Sequence, residues 1–231
     1  MKKKLLWAAG VIVVVVVVAI AAGPWVYKNW IVDDADEALT LPSQTQAAQG
    51  DVNGAWTVVA GPDAEDTRTQ AGYRVDEVLR GENITVNGRT TKVTGGIDVA
   101  ADKLESGTIT VDVASITSPD SSRDNRFRGS GIMDTSAHPT ATFEITAPAD
   151  ISGVPASGEA ATVPVTGTMT LKGEKRYVST DLNVERSGTS VIVQGSIPVT
   201  WSDYGVEAPT LGFVQVEKTG SIEFLVNLDR A

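Results

Sequence analysis

Cysteine is absent from this chain of 231 residues. That excludes thiolate metal sites, cysteine nucleophiles and disulfides, so any fold outside the cytoplasm must be held by its own core. A single histidine, His138, leaves no multi-histidine metal site. Aromatic residues are scarce: four Phe and 6% aromatics overall supply few bulky rings to plug an interior. Positive charge is also short. With 19 Lys and Arg against 29 Asp and Glu the net charge is -10, which argues against a nucleic-acid partner because phosphate binding needs a basic face. What remains, 42% hydrophobic residues in a chain of this length, is enough for one domain of ordinary size with its own core.

The one long apolar run is at the N-terminus. Lys2, Lys3 and Lys4 are followed by an uncharged stretch from Leu5 to Ala22, and Gly23 to Tyr27 extend it. About 20 apolar residues cross a bilayer, so residues 5–27 are expected to be a transmembrane anchor and residues 1–4 a cytoplasmic tip. Lysines before the run and Asp33, Asp34, Asp36 and Glu37 after it place the N-terminus inside and the remainder outside the cell membrane, as a single-pass protein. Trp25, Tyr27 and Trp30 suit the far interface. The competing expectation is a cleaved signal peptide with Ala19-Ile20-Ala21 as its processing site and a secreted product, although the apolar stretch is longer than such peptides need. Residues 28–54, acidic and then rich in Ala, Gln, Ser and Thr, carry no apolar periodicity and are expected to be a flexible linker.

From Ala55 onward the apolar period is two. Ile109, Val111 and Val113 share one phase, as do Val163, Val165, Met169 and Leu171; Val191, Val193, Ile197 and Val199; and Ile222, Phe224, Val226 and Leu228. Such alternation predicts antiparallel strands with one wet and one dry face. Turn signals recur between them, among them Asn87-Gly88, Ser106-Gly107, Lys172-Gly173 and Ser187-Gly188. No helical stretch is long enough to cover a sheet, so about eight strands over residues 55–231 must bury their faces against one another. The pattern alone allows a barrel or a sandwich. Between the strands ending near Ile116 and starting near Thr142 lies a polar, partly helical crossover, too long for an ordinary hairpin.

A barrel of that size is either filled by side chains or holds one small ligand. Gly95, Gly167 and Gly195 within strand-like stretches are expected either to mark a bend or to leave room inside. The candidate lining is Val75, Ile109, Val111, Val113, Phe143 and Ile145 from the first half of the domain. Val165, Met169, Val191, Val193, Phe224 and Val226 complete it. Arg123, Arg126 and Arg128 could hold a polar head at the rim, since guanidinium pairs with phosphate through two parallel hydrogen bonds, or could simply tie the crossover down. Tyr204 is a further rim candidate. No catalytic set is expected: a serine triad would need His138 with Ser130 or Ser136 and Asp134, and Gly129-Ser130-Gly131 is not a nucleophile elbow. Asp98, Asp112, Glu144 and Asp181 fall on the wet phase of strands, where solvated charges belong.

The run Arg123-Asp124, Phe127-Arg128, Ile132-Met133-Asp134, Pro139 and Thr142-Phe143 resembles the signature of the YceI family, lipocalin-like barrels that bind polyisoprenoid lipids. Gly72 to Glu77 resembles its first barrel strand, Gly167 to Gly173 its central strand and turn, and Ser202 to Val206 a late segment; together these reach from about Trp56 to the C-terminus. The resemblance is to the membrane-anchored, actinobacterial-type members. It implies a barrel and not a sandwich, an isoprenoid-type lipid within it, no other cofactor, and a homodimer. A non-catalytic interaction or structural domain with a filled barrel is the alternative. The chain departs from the family at Ala71-Gly72-Tyr73, where a His-Ser pair is usual, at Lys172, where a histidine is usual, and at Glu174. Whatever those histidines touch in relatives must be met differently by this protein.

Overall fold

The computed structural model describes residues 35–42, 46–79, 81–211 and 214–231. The apolar run from Leu5 to Tyr27 lies outside them, and among the described residues no helix is long and apolar enough to cross a membrane.

The alternating segments become strands. First come β1 (Gly54–Val59), β2 (Gln70–Leu79), β3 (Glu82–Thr90), β4 (Val93–Ala100) and β5 (Lys103–Asp112). The crossover contains helix α1 (Ser121–Arg128). Beyond it lie β6 (Thr140–Ile145), the short β7 (Ala149–Asp150), β8 (Ala161–Leu171), β9 (Glu174–Ser187) and β10 (Ser190–Thr200). The chain finishes with β11 (Thr210–Leu211), β12 (Val214–Val216) and β13 (Thr219–Arg230).

Strands β1, β4, β5, β6, β8, β9, β10 and β13 are hydrogen-bonded in that order, and β13 pairs back onto β1. The pairs are antiparallel, and the ring is a closed barrel, the architecture expected from the resemblance. Closure leaves the ring no open edge. β13 forks along its length: Asn227 to Arg230 pair with β1, whereas Ser221 to Leu225 pair with β2. The β2–β3 hairpin therefore extends the wall at one end of the barrel, where the crossover between β5 and β6 completes it through an Arg89–Thr117 bridge.

Helix α1 begins where the sequence supplies a cap. The Asp120 carboxylate accepts from the backbone N–H groups of Ser122 at 2.8 Å and Arg123 at 3.3 Å, filling two of the orphan donors of a first turn. Asp124 is buried and accepts from Ser118 N at 2.9 Å and Ser118 Oγ at 2.7 Å, which pins the helix to the preceding loop.

Two expectations need correction. The linker is not free where it is described. Leu39 is buried against Ile192 and Leu225 on the outside of the barrel, with Leu41 beside it. Farther on, Ala48 N donates to Ala156 O and Gln49 N to Gly188 O, and Val52 enters the main core. Burying Leu39 alone stabilises this arrangement by about 1.5–3 kcal/mol, which composition does not register. The glycines, in turn, leave less open space than expected. A side chain at Gly167 would strike the ring of Phe143 at 2.5 Å, and one at Gly195 the ring of Phe224 at 2.4 Å, so each glycine makes room for a phenyl ring.

Candidate functional site

The inward side chains leave two spaces inside the barrel. A cavity of about 680 Å³ occupies the end covered by α1, and a second of about 140 Å³ lies toward β1. Ala71, Val111, Ala141, Met169 and Ile222 border both and form the wall between them. The larger volume is typical of small-molecule sites, which span roughly 300–1,000 Å³. The interior is thus hollow and not packed solid.

Val75, Val111, Val113 and Met169 border the large chamber. Ile109, Val111, Phe143, Ile145 and Val165 border the small one, with Met169, Val191, Val193, Phe224 and Val226. All the lining residues named from the sequence therefore face open volume. Ile109, Val111, Phe143, Val193 and Phe224 are only half-buried although they face inward, because the cavity exposes them. Apart from Thr142 and Arg186 the side chains lining the small chamber are apolar. The large chamber is different: Tyr73, Glu77, Asp120, Ser121, Ser122, Arg123 and Arg126 give it a polar pole beneath α1.

The rim candidates separate. Arg123 borders the chamber, its Nη2 lying 3.3 Å from Glu77 Oε1. Arg128 does not border it; its Nη1 donates to Ile116 O at 3.0 Å and its Nη2 to Asn125 Oδ1 at 3.4 Å, which ties the helix to the wall. Tyr204 is buried in the short turn after β10, with the Arg176 guanidinium 5.9 Å from its ring centroid, and it does not border either chamber. Burial pushes the Tyr204 phenol up from its ordinary value, Arg176 pulls it down, and Asp203 pushes it up again. His138 packs against Gly173 in the β8–β9 turn, and its backbone N–H donates to Asp134 O.

Arg126, the third arginine named for the rim, also borders the large chamber, and the sequence reading missed Tyr73, Glu77 and Trp201, which border it too. The signal for Glu77 lies in the phase of β2. Ala71, Tyr73, Val75 and Glu77 occupy alternate positions and all face inward, so an acid stands on the dry phase. Glu77 is 6% exposed. Phe127 holds its neighbour in place: its ring stacks on that of Tyr73 with centroids 4.9 Å apart and planes at 21°. Burial, the main cause, pushes the Tyr73 phenol up to about 12; Arg123 opposes this, and Asp124, Glu77 and Asp120 reinforce it.

Comparison with known proteins agrees with this architecture. The family described as "YceI-like domain" matches residues 63–228. Among solved structures, a polyisoprenoid binding domain from Saccharophagus degradans is similar at 20% identity and a TM-score of 0.57, covering 76% of this chain and 98% of that one. BcnA of Burkholderia cenocepacia is similar at 23% identity and a TM-score of 0.53, covering 68% of this chain and 95% of that one. None of the curated proteins matches the sequence.

Proposed function

The chain belongs to the YceI-like family, and from that premise we propose that it binds a polyisoprenoid or similarly long apolar lipid inside its barrel. One observation carries the reading: an interior cavity of about 680 Å³, with a second, apolar one of about 140 Å³ across a shared wall. A hydrocarbon tail buried in this interior would leave water, at a gain of roughly 25 cal/mol per Å² of apolar surface. The S. degradans relative, described as a polyisoprenoid binding domain, supports the same ligand class.

The barrel is tethered to the outer side of the cell membrane by residues 5–27. The charge asymmetry around that run and its length support this placement. Because chain packing on the barrel starts by Asp36, the tether is short: about nine residues reach at most roughly 30 Å. The protein would thus hold or shield its lipid close to the bilayer, with no catalytic step. The homodimer implied by the family resemblance is a matter for light scattering.

Native purification followed by solvent extraction and mass spectrometry tests the reading. A prenyl-type lipid recovered in stoichiometric amount is expected. A protein that emerges empty, and that takes up no prenyl compound when offered one, would return the barrel to a purely structural or interaction role.

A further inference from the structure

We infer that Glu77 and Tyr73 select the head of the ligand, favouring a neutral hydroxyl head and excluding a phosphorylated one. The inference rests on the lipid-binding reading above and adds to it the chemistry of the polar end.

Three features at that end carry it. Glu77 is a carboxylate on the inward phase of a strand, facing a chamber that is apolar on most sides. Its Oε1 pairs with Arg123, while its Oε2 has no hydrogen bond among the described residues. The Tyr73 hydroxyl likewise has no hydrogen bond among the described residues, and it keeps its proton at any physiological pH. The pole therefore presents one unused strong acceptor and one unused donor. A hydroxyl head suits either group, because it can donate to the carboxylate or accept from the phenol.

Charge decides against a phosphate. The chamber's charged groups are Glu77, Asp120, Arg123 and Arg126, and they sum to zero. Arg123 is already committed to Glu77, and the Asp120 carboxylate is committed to the first turn of α1. Only Arg126, on the exposed side of the helix, remains to meet an anion. A diphosphate would thus bring its negative charges against a buried carboxylate with little compensation, and like charges in such a setting repel strongly.

The test uses the full chain in a mild detergent, cleared of co-purified lipid. It is offered an equimolar mixture of three C20 ligands: geranylgeraniol, geranylgeranyl diphosphate and the plain hydrocarbon phytane. Native mass spectrometry counts the bound species. The geranylgeranyl tail is common to the alcohol and the diphosphate, so their ratio reads the head, and phytane reports on apolar burial alone. The alcohol is expected to exceed the diphosphate by about tenfold or more, the scale of one strong polar contact. Glu77→Gln keeps an acceptor for Arg123 and is expected to bring the two within about threefold, while Arg123→Gln, which leaves Glu77 unpaired, widens the gap. Tyr73→Phe should weaken the alcohol several-fold and leave phytane unchanged. Equal binding of alcohol and diphosphate, or a ratio that none of these variants moves, overturns the selection by head while leaving lipid carriage intact. Failure of all three ligands to bind removes the carriage itself, and the selection with it.

Discussion

Asp36 and Asn87 hold each other by two reciprocal hydrogen bonds. The Asp36 N–H donates to Asn87 Oδ1 at 3.0 Å, and Asn87 Nδ2 donates to Asp36 Oδ2 at 2.9 Å. Asn87 is 2% exposed, so this pair fixes the segment before the barrel to the outer face of β3. Arg74 and Arg89 reinforce it by donating to the carbonyls of Asp36 and Glu37.

Removing the acid should therefore loosen that segment without opening the barrel. Asp36→Ala leaves a buried amide short of a partner and is expected to cost about 1–2 kcal/mol in urea unfolding. Hydrogen exchange would show faster amides at residues 35–42, with β8 and β10 unaffected. Uniform loss of protection throughout the strands would count against a local role.

Glu223 serves both arginines from below. Its Oε1 lies 2.6 Å from Arg89 Nη2 and its Oε2 3.2 Å from Arg74 Nε, with the Glu223 side chain 3% exposed. Breaking a buried pair from one side leaves charge uncompensated, so Glu223→Ala should destabilise by about 3 kcal/mol. Replacing Glu223 and Arg89 together by Met should cost less than Glu223→Ala alone, a non-additivity that a double-mutant cycle would expose.

On the lipid-binding reading, the wall between the chambers is where tail length would be sensed. Ala141 borders both chambers, so Ala141→Phe should thicken the wall between them at an overpacking cost of about 1–3 kcal/mol. Mass spectrometry of extracted lipid is expected to show shorter tails than in the parent protein. An unchanged length distribution would mean that the tail never reaches Ala141.

Glu185 sets a pH dependence. It is 1% exposed, and its Oε1 has no hydrogen-bond partner among the described residues. Burial raises its pKa above 4.5, the value expected once the chain unfolds. The folded state thus holds this proton more tightly than the unfolded state. The stability so gained is fully present below 4.5 and is lost as pH rises through the folded value. Glu185→Gln removes that dependence. The variant should therefore gain on the parent in Tm between pH 5 and 8, and a constant difference across that range would contradict the assignment.

Much of the barrel was legible because a strand with one dry face repeats every second residue: Val163, Val165, Met169 and Leu171 all fall inward as read. The site was legible only on its apolar side. Glu77 obeys the same alternation, but its meaning comes from Arg123, 46 residues away, whose approach depends on how α1 is laid over the barrel end. The packed N-terminal segment left a fainter trace. Val191-Ile192-Val193 and Phe224-Leu225-Val226 break the alternation, placing Ile192 and Leu225 on the outer phase, and an apolar outer residue needs a cover. Leu39 supplies it, a pairing of residues too distant in sequence for any local period to reveal. Gly167 and Gly195 misled for a related reason: the rings that fill their space belong to neighbouring strands.

The fork in β13 separates permanence from adaptability. One half belongs to the closed ring through β1, and the other carries the β2–β3 hairpin with Tyr73 and Glu77 on its inner surface. A lineage can rewrite the hairpin, and with it the chemistry at the doorway, while the hoop behind it keeps its stitching. On the lipid-binding reading, diversification of cargo then needs no new scaffold, only a new lip on an old vessel.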